Sequence, residues 1–405
     1  MIADPKVTPI SISGNFVKSE GDFSLVLGGP LYQLYLRTRL STPPLGLLRR
    51  RVLAISLVCW FPLLLLSLAG GHAIAGVPVP FLSDVEAHVR FLVALPLLIV
   101  AEPIVHQRIA RIVNQFLTRH IITSEQYERF MQIINSTMRL RNSIFIEIAL
   151  LVFAFSVADW IWQENLALRI TSWYALKSGS ESHLSAAGYW YALVSLPVFR
   201  FILFRWYFRL FLWYQFLWRV RALPLHLNLF HPDRAAGLGF LTGSVLAFAP
   251  VLLAHTTFLA GFIGERIWHA GATLMAFKME IVGSVLLLVL LVLTPLSFFV
   301  VHLSRAGRLA SREYGILASR YVDDFRRKWI GTAPSETEPL LGTPDLQSLA
   351  DLGNAFRDIT GIRLIPISKD TVIRLAAILV LPILPLTLTM VPLARIVDWL
   401  LKLAI

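Results

Sequence analysis

Seven apolar runs, each at least 18 residues long, recur along this 405-residue chain. A helix rises about 1.5 Å per residue, so a run of this length crosses the roughly 30 Å hydrocarbon core of a bilayer. A composition of 56% hydrophobic and 15% charged residues agrees with a chain that has lipid as part of its solvent. The sequence therefore predicts an all-α, polytopic helical membrane protein with about seven transmembrane helices and additional cytosolic amphipathic helices. The predicted spans are 52–69, 89–106, 144–162, 189–210, 238–263, 281–302 and 371–391.

Lysine and arginine are distributed very unequally between the two sides of these spans. The four segments on one side hold 26 of these residues, whereas the four on the other side hold 6. Basic loops stay in the cytosol, so we expect a cytosolic amino terminus and an external carboxyl terminus. The same asymmetry accounts for the net charge of +12, and we expect the lipid bilayer, not nucleic acid, as the partner of the basic residues.

This layout predicts four regions. They are a cytosolic amino-terminal segment at 1–51, a transmembrane domain at 52–302 with a basic helical loop at 107–143, a cytosolic helical extension and linker at 303–371, and a seventh span with a tail at 372–405. Pro382 and Pro385 break the last span, which therefore either crosses fully or re-enters the same side. No repeat with a period of 20 to 50 residues and no inverted repeat is evident.

The segment LFHPDRAAGLGFLTGSVLAFA, residues 229–249, is the expected packing axis of the membrane domain. His231-Pro232-Asp233 is typical of a helix start, because proline is tolerated in the first turn and an acid there complements the helix dipole. Membrane helices associate through small residues that allow close backbone approach. We therefore predict a helix-packing seam of residues spaced four apart: Ala235, Gly239, Gly243 and Ala247.

Ionisable residues within the predicted spans are candidate pore or ion-pair residues, because burying a charge in lipid is costly. Glu102 and Arg200 are predicted at similar depths of roughly 17 to 20 Å, so they form either a structural ion pair or part of a substrate, ion or proton site. Glu147 lies near the cytosolic interface, where its carboxylate either snorkels to water or contributes to a site. His255 lies deeper and has no obvious partner, which is more typical of a core residue than of a ligand.

Two further arginines follow Arg200 on the same predicted span. At 100° per residue, Arg200, Arg205 and Arg209 do not share one helix face, which argues against a voltage sensor. Arg205 and Arg209 lie among aromatic residues near the inner interface, so we expect them to snorkel and to form cation–π contacts.

Several polar residues are expected on the cytosolic side, at or near span ends. This polar cluster could bind a metal, and the start of span five could bind an anion unless Asp233 already caps it. There is no HExxH, paired-cysteine, Walker-type or GxSxG motif, so we expect no metal and no cofactor. The predicted cluster consists of His106, His226, His231, Asp233 and Arg234.

The chain also resembles a known group of proteins. The strings LGGPLYQL, HVRFLVALPLLI, MRLRNS, LFHPDRAAGLGFL, YGILASRYV, DLQSLADL and RLIPI followed by LPILPLTLTMVPL are similar to those of an uncharacterised family of bacterial multi-pass inner-membrane proteins. The resemblance covers nearly the whole chain and is centred on the HPDRAAGLGFL-type segment. It implies a bacterial inner-membrane location and no particular activity.

Three functional hypotheses remain open from the sequence. The first is a homo-oligomeric channel or transporter for ions or small solutes, with Glu102 and Arg200 near its path. The second is a membrane scaffold or sensor that binds an anionic lipid or a cytosolic protein partner through its basic helices. The third is a membrane-embedded enzyme acting at a cytosolic-side His231/Asp233 site, although we expect no enzymatic activity.

Overall fold

The structure is a computed structural model that describes residues 23–167, 171–178, 181–228, 231–330 and 343–390, without the side chains of 157–167, 177–178, 181–182 and 358–360. Among the described residues, the regular secondary structure is almost entirely helical. The helices are α1 Pro30–Arg37, α2 Leu48–Ala69, α3 Val85–Thr118, α4 Tyr127–Arg141, α5 Ile144–Ala167, α6 Ala186–Val220, α7 Leu238–Ala270, α8 Leu274–Trp329, α9 Pro344–Thr360 and α10 Lys369–Met390. One antiparallel hairpin, β1 Ala175–Ser178 and β2 Glu181–Leu184, lies between α5 and α6.

Six of the described helices are long and apolar enough to cross a membrane: α2, α3, α6, α7, α8 and α10. The apolar described part of α5, Ile144–Ser156, is shorter than a full span. The predicted all-α class is thus confirmed, and the six apolar helices fit a multi-pass membrane protein, whereas the count of seven spans stays a prediction. The linker at 331–342 and the tail at 391–405 lie outside the described residues.

Helices α3 and α7 are the most buried of the six, and they pack against one another at the centre. Gly261 of α7 lies against Val89 of α3, and Gly243 lies against Ile112 further along the same pair. Helix α8 continues past the predicted end of span six at His302 to Trp329, as its apolar periodicity predicts. Its last part pairs with α9, where Trp329 Nε1 donates to Asp345 at 3.0 Å.

Helices α3 and α6 repeat the same local structure 101 residues apart. In each, the side chain of the N-cap residue accepts a hydrogen bond from a backbone amide of the first turn: Asp84 from Ala87, and Ser185 from Gly188. Each then has one α turn and five residues of π-helix, Arg90–Ala94 and Tyr191–Ser195, before a Leu-Pro pair. Because proline has no amide hydrogen, it cannot donate the usual hydrogen bond to the carbonyl four residues earlier. The backbone therefore forms a wider π-helical turn just before each proline. Helices α2 and α5 precede these helices in the same order, and Arg51 near the start of α2 and Glu147 near the start of α5 lie at the same end of the bundle, beside Glu102, Arg205 and Arg209. Residues 48–118 and 144–220 are therefore two parallel helical hairpins, a repeat that the sequence pattern did not predict.

The expected helix start at His231-Pro232-Asp233 is wrong. Residues 231–237 form a turn, and the 3₁₀ start of α7 begins only at Leu238. Three residues of this turn, Arg234, Ala236 and Gly237, have positive φ angles, which a helix cannot accommodate. The Asp233 carboxylate instead accepts hydrogen bonds from the backbone amides of residues 235, 237 and 239. Asp233 thus holds a tight turn and, through the Gly239 amide in the first turn of α7, also caps the helix start from outside it, as the capping alternative for this residue predicts.

Candidate functional site

Glu102 lies in the middle of α3 and is almost completely buried. Its Oε1 accepts a 2.9 Å hydrogen bond from Arg209 Nη2 of α6, and its Oε2 lies 3.3 Å from Arg51 Nη2 of α2. The expected pair with Arg200 does not form. Depth along a helix does not determine which face a side chain occupies, and Arg200 Nη1 is buried without a hydrogen-bond partner among the described residues.

Glu147 lies one turn into α5 and is also withdrawn from water, with 12% of its side chain exposed. One oxygen accepts from the Leu31 amide at 3.1 Å and lies 3.2 Å from Arg205 Nε of α6. Glu147 therefore caps the start of α1 and pairs with an arginine in the same place. The expectation that Arg205 snorkels to the interface is wrong, because Glu147 provides it with a buried counterion. The same pair excludes the snorkelling alternative for Glu147 and keeps it as a candidate site residue.

Arg209 combines its ion pair with an aromatic contact. Its guanidinium lies 4.5 Å from the centre of the Trp206 ring, which confirms the expected cation–π contact of this arginine. Trp206 in turn donates a 3.0 Å hydrogen bond to the Leu98 carbonyl of α3. The Arg209 side chain is thus held in place from two sides.

These residues and one arginine of α4 form a single group of charges at the predicted cytosolic ends of the helices. We call it the arginine–glutamate cluster; it consists of Arg51, Glu102, Arg141, Glu147, Arg205 and Arg209. Four positive charges thus face two negative charges. Burial, and to a smaller extent the nearby Arg209, lower the pKa of Arg141 to about 10.

A small cavity of about 20 Å³ lies within the cluster, lined by Arg141, Glu147, Arg205 and Arg209 among others. This volume is enough for one water molecule. Arg51 Nη2 and Glu102 Oε2 face each other at 3.3 Å as an ion pair, whereas the buried Arg51 Nε has no hydrogen-bond partner among the described residues. The Nε–H of Arg51 is therefore a donor that the described residues do not use.

Residues 23–47, which we call the amino-terminal segment, cover the cluster from the predicted cytosolic side. Ser24 accepts a hydrogen bond from Arg141 through its carbonyl, and its hydroxyl lies 2.9 Å from His106 Nδ1. Ser41 accepts from Arg51 at 3.2 Å. The segment is anchored to the charged side chains themselves, and not only by apolar packing.

Gly28 and Gly29 allow this close approach. Both have positive φ angles, and a Cβ on Gly28 would lie 2.3 Å from Asn142 Oδ1 and 2.6 Å from Arg141 Nη2. A Cβ on Gly29 would lie 3.0 Å from the Glu147 carboxylate. Glycine is therefore required at these positions both for conformation and for space.

The predicted polar cluster on the cytosolic side does not converge on one site. His106 belongs to the contact with Ser24, whereas His231 Nδ1 lies 3.1 Å from Asp233 within the turn before α7. His226 is exposed, and Arg234 is held by its carbonyl, which accepts from the Arg363 amide at 2.7 Å. Within the described ranges, no group of three or more His, Cys, Asp or Glu residues could hold a metal ion.

His255, which has no obvious partner in the sequence, has two in the structure. Its Nδ1 lies 2.7 Å from the Val251 carbonyl, and its Nε2 lies 2.7 Å from the Tyr207 hydroxyl. A carbonyl only accepts, so Nδ1 carries the proton and Nε2 accepts from Tyr207. His255 thus links α7 to α6 with both ring nitrogens satisfied.

The predicted packing seam is only partly a helix face. Gly243 and the buried Ala247 lie in α7, and a Cβ on Gly243 would lie 3.4 Å from Ile112 of α3. Ala235 lies in the preceding turn, and Gly239 faces the Asp233 carboxylate of that turn. One half of the seam therefore packs helices together, and the other half packs a turn against its own carboxylate.

Comparisons of this chain with protein-family models, curated proteins and solved structures found no match. The resemblance to a bacterial inner-membrane family therefore stays a prediction.

Proposed function

We propose that this protein is a transporter or channel for small anionic solutes, with the arginine–glutamate cluster as its anion site. The proposal includes seven spans, a bacterial inner-membrane location and a cytosolic amino terminus. The excess of positive charge in the cluster is the observation that carries it. The amino-terminal segment would then act as the gate on the cytosolic side.

The charge balance favours an anion over a cation or a neutral solute. Arg51, Arg205 and Arg209 are each less than 10% exposed, and their only carboxylate partners are Glu102 and Glu147 within the described residues. Burying an uncompensated charge costs several kcal/mol. An anion that enters the cluster would supply the negative charge that the two glutamates do not provide. Arginine is also the side chain best suited to bind carboxylate or phosphate groups through two parallel hydrogen bonds.

The amino-terminal segment supports the gating part of the proposal. It occupies the predicted cytosolic approach to the cluster and contacts Arg51, Arg141 and Glu147 directly. An anion that arrives from this side competes for the same arginine donors that Ser24 and Ser41 now use. Binding of the anion and release of the segment are thereby coupled.

The repeated hairpins support transport more than a static scaffold. Many transporters consist of structural repeats, including parallel ones related by an axis along the membrane normal. Here Glu102 comes from the first hairpin, whereas Glu147, Arg205 and Arg209 come from the second. The cluster thus lies where the two hairpins meet, which is where a movement between them would change the site.

Flux through liposomes containing the purified protein tests the proposal. We expect chloride or phosphate to pass faster than potassium, and Arg209→Gln to reduce anion flux by about tenfold or more, because a hydrogen bond to a charged group contributes about 1.5–3 kcal/mol. Gly29→Val should increase flux by displacing the segment. Arg312→Gln, at an exposed position of α8, is the matched control. Equal anion flux in all variants and in empty liposomes would refute the proposal.

A second candidate function, a scaffold or sensor, is favoured by one feature of α8. The face opposite α9 carries exposed basic and apolar residues at helical spacing: Arg305, Leu309, Arg312, Ile316 and Arg320. Such a face suits an anionic lipid surface or an acidic protein. A stoichiometric partner in mild-detergent purification, lost in a variant with the three arginines changed to glutamine and found together with zero flux, would favour this function.

A further inference from the structure

A groove of about 810 Å³ opens between α1 and the start of α5, beside the arginine–glutamate cluster. Its volume lies within the range of about 300–1,000 Å³ that is usual for ligand sites. Most of its wall is apolar, from Leu34 of α1, Ile148 and Leu151 of α5, and Phe201 of α6. Leu34 and Ile148 are each more than half exposed, so the groove presents an apolar surface that nothing in the described chain covers.

One part of the groove wall is polar. Gln33, Arg37 and Asn142 contribute to it, and Arg37 lies in the last turn of α1. Arg37 is exposed and forms no ion pair within the described residues. Among the described residues that line the groove, Arg37 is the one cation, and the Glu147 carboxylate is already paired with Arg205. An apolar groove beside such a cation matches the two parts of a lipid, an acyl chain and a negatively charged headgroup.

We propose that this groove binds an anionic phospholipid of the cytosolic leaflet, with an acyl chain along Leu34, Ile148 and Leu151 and the phosphate near Arg37. The location supports this occupant. Helix α5 begins at Ile144, so the groove lies at the predicted cytosolic end of the membrane domain, where headgroups and the first part of the acyl chains are found. Arginine at that depth is attracted to anionic lipid headgroups.

Glu147 connects this site to the cluster. It lines the groove on one side and the small cavity of the cluster on the other, and it accepts from the Leu31 amide at the start of α1. A lipid in the groove holds α1 against α5 and so keeps the amino-terminal segment over the cluster. This regulatory consequence rests on the proposed transport function, whereas the lipid site itself does not.

Lipid retention tests the site without any measurement of transport. Full-length protein is delipidated, titrated with phosphatidylglycerol or phosphatidylcholine, and examined by native mass spectrometry. We expect wild type to retain phosphatidylglycerol in preference, and Arg37→Gln to reduce that preference about fivefold, because one basic residue near a membrane surface contributes about 1 kcal/mol. Arg129→Gln, at an exposed position of α4 outside the groove, should leave the preference unchanged.

A second pair of variants tests the groove rather than the charge. Leu34→Trp with Ile148→Trp should fill it and abolish retention of either lipid, whereas Leu57→Trp, on an exposed position of α2 outside the groove, should not. Equal retention by the filled and control variants would overturn the proposal. The proposal would also be overturned if wild type retained no lipid and formed a dimer that the Leu34→Trp, Ile148→Trp variant did not form. A second copy of the chain would then occupy the groove. Unchanged size-exclusion profiles establish that each variant is folded.

Discussion

Arg209 Nη2 donates a 2.9 Å hydrogen bond to Glu102 Oε1, and both residues are at least 95% buried between two helical hairpins. The pair joins α6 of the second hairpin to α3 of the first. Arg51 of α2 adds a second cation to the same carboxylate. A single glutamate therefore pairs with cations from two other helices, and its one negative charge leaves part of their positive charge uncompensated.

Replacing Glu102 by glutamine should destabilise the protein strongly. Arg51 and Arg209 would then share no carboxylate, and breaking a buried pair typically costs about 3–5 kcal/mol. Thermal unfolding in detergent should show a lower midpoint for Glu102→Gln. Glu313→Gln, at an exposed position of α8, should leave it unchanged. Equal midpoints would show that the cluster does not stabilise the bundle.

A methyl group on Gly28 should loosen the amino-terminal segment. Gly28→Ala adds strain at a positive φ angle, at a cost of about 1–3 kcal/mol, and its Cβ meets Asn142 and Arg141 at 2.3 and 2.6 Å. Limited proteolysis should then cleave residues 23–47 faster than in wild type. Gly353→Ala, where a Cβ meets nothing within 4 Å, should be cleaved at the wild-type rate.

The contact between α3 and α7 should tolerate no large side chain at Gly243. A leucine there meets Ile112, which already lies 3.4 Å from the position of a Cβ, and overpacking costs about 1–3 kcal/mol. Gly243→Leu should lower the unfolding midpoint. Gly283→Leu, at an open position of α8, serves as the comparison. If the two variants unfold alike, close packing at Gly243 is unimportant.

Acid should weaken the pairing of α8 with α9. Hydrogen bonds from Lys328 and Trp329 lower the pKa of Asp345 below its usual 3.8. Because the folded pKa is the lower one, this contribution is fully present above the usual pKa and is lost as the pH falls through the lowered value. Amide hydrogen exchange in α9, corrected for intrinsic rates, should become faster below about pH 4, in the range of that pKa. Asp345→Asn should already exchange faster at pH 7 and should show less dependence on acid.

The positions of the helices could be predicted well because the signals are local. Apolar length predicted the six helices that are long enough to cross a membrane, and the periodicity after His302 predicted the long extension of α8. The helix start predicted at the HPD segment was wrong because proline and aspartate suit both a helix start and a tight turn. The hydrogen bonds that the Asp233 carboxylate accepts from three later amides distinguish the turn from the helix start, and they are visible only in the three-dimensional structure.

The acidic residues of the candidate site could be predicted from the sequence, whereas their arginine partners could not. Glu102 and Glu147 were candidates because charge inside an apolar run is costly wherever it lies. Their partners were not, because Arg51, Arg141, Arg205 and Arg209 differ little in sequence context from other arginines near span ends. The parallel repeat offered one missed signal, the matching strings LVALP and LVSLP, 101 residues apart.

The amino-acid sequence by itself determined that this chain is helical and built of membrane-length apolar segments, since length and hydropathy are properties of each segment alone. Only the tertiary structure decided that Glu102 meets Arg209 instead of Arg200, and that residues 23–47 cover the cluster. Partner choice depends on which face each helix turns inward and on how close the backbones approach. Those are relations between segments far apart in the chain, and no single segment contains them.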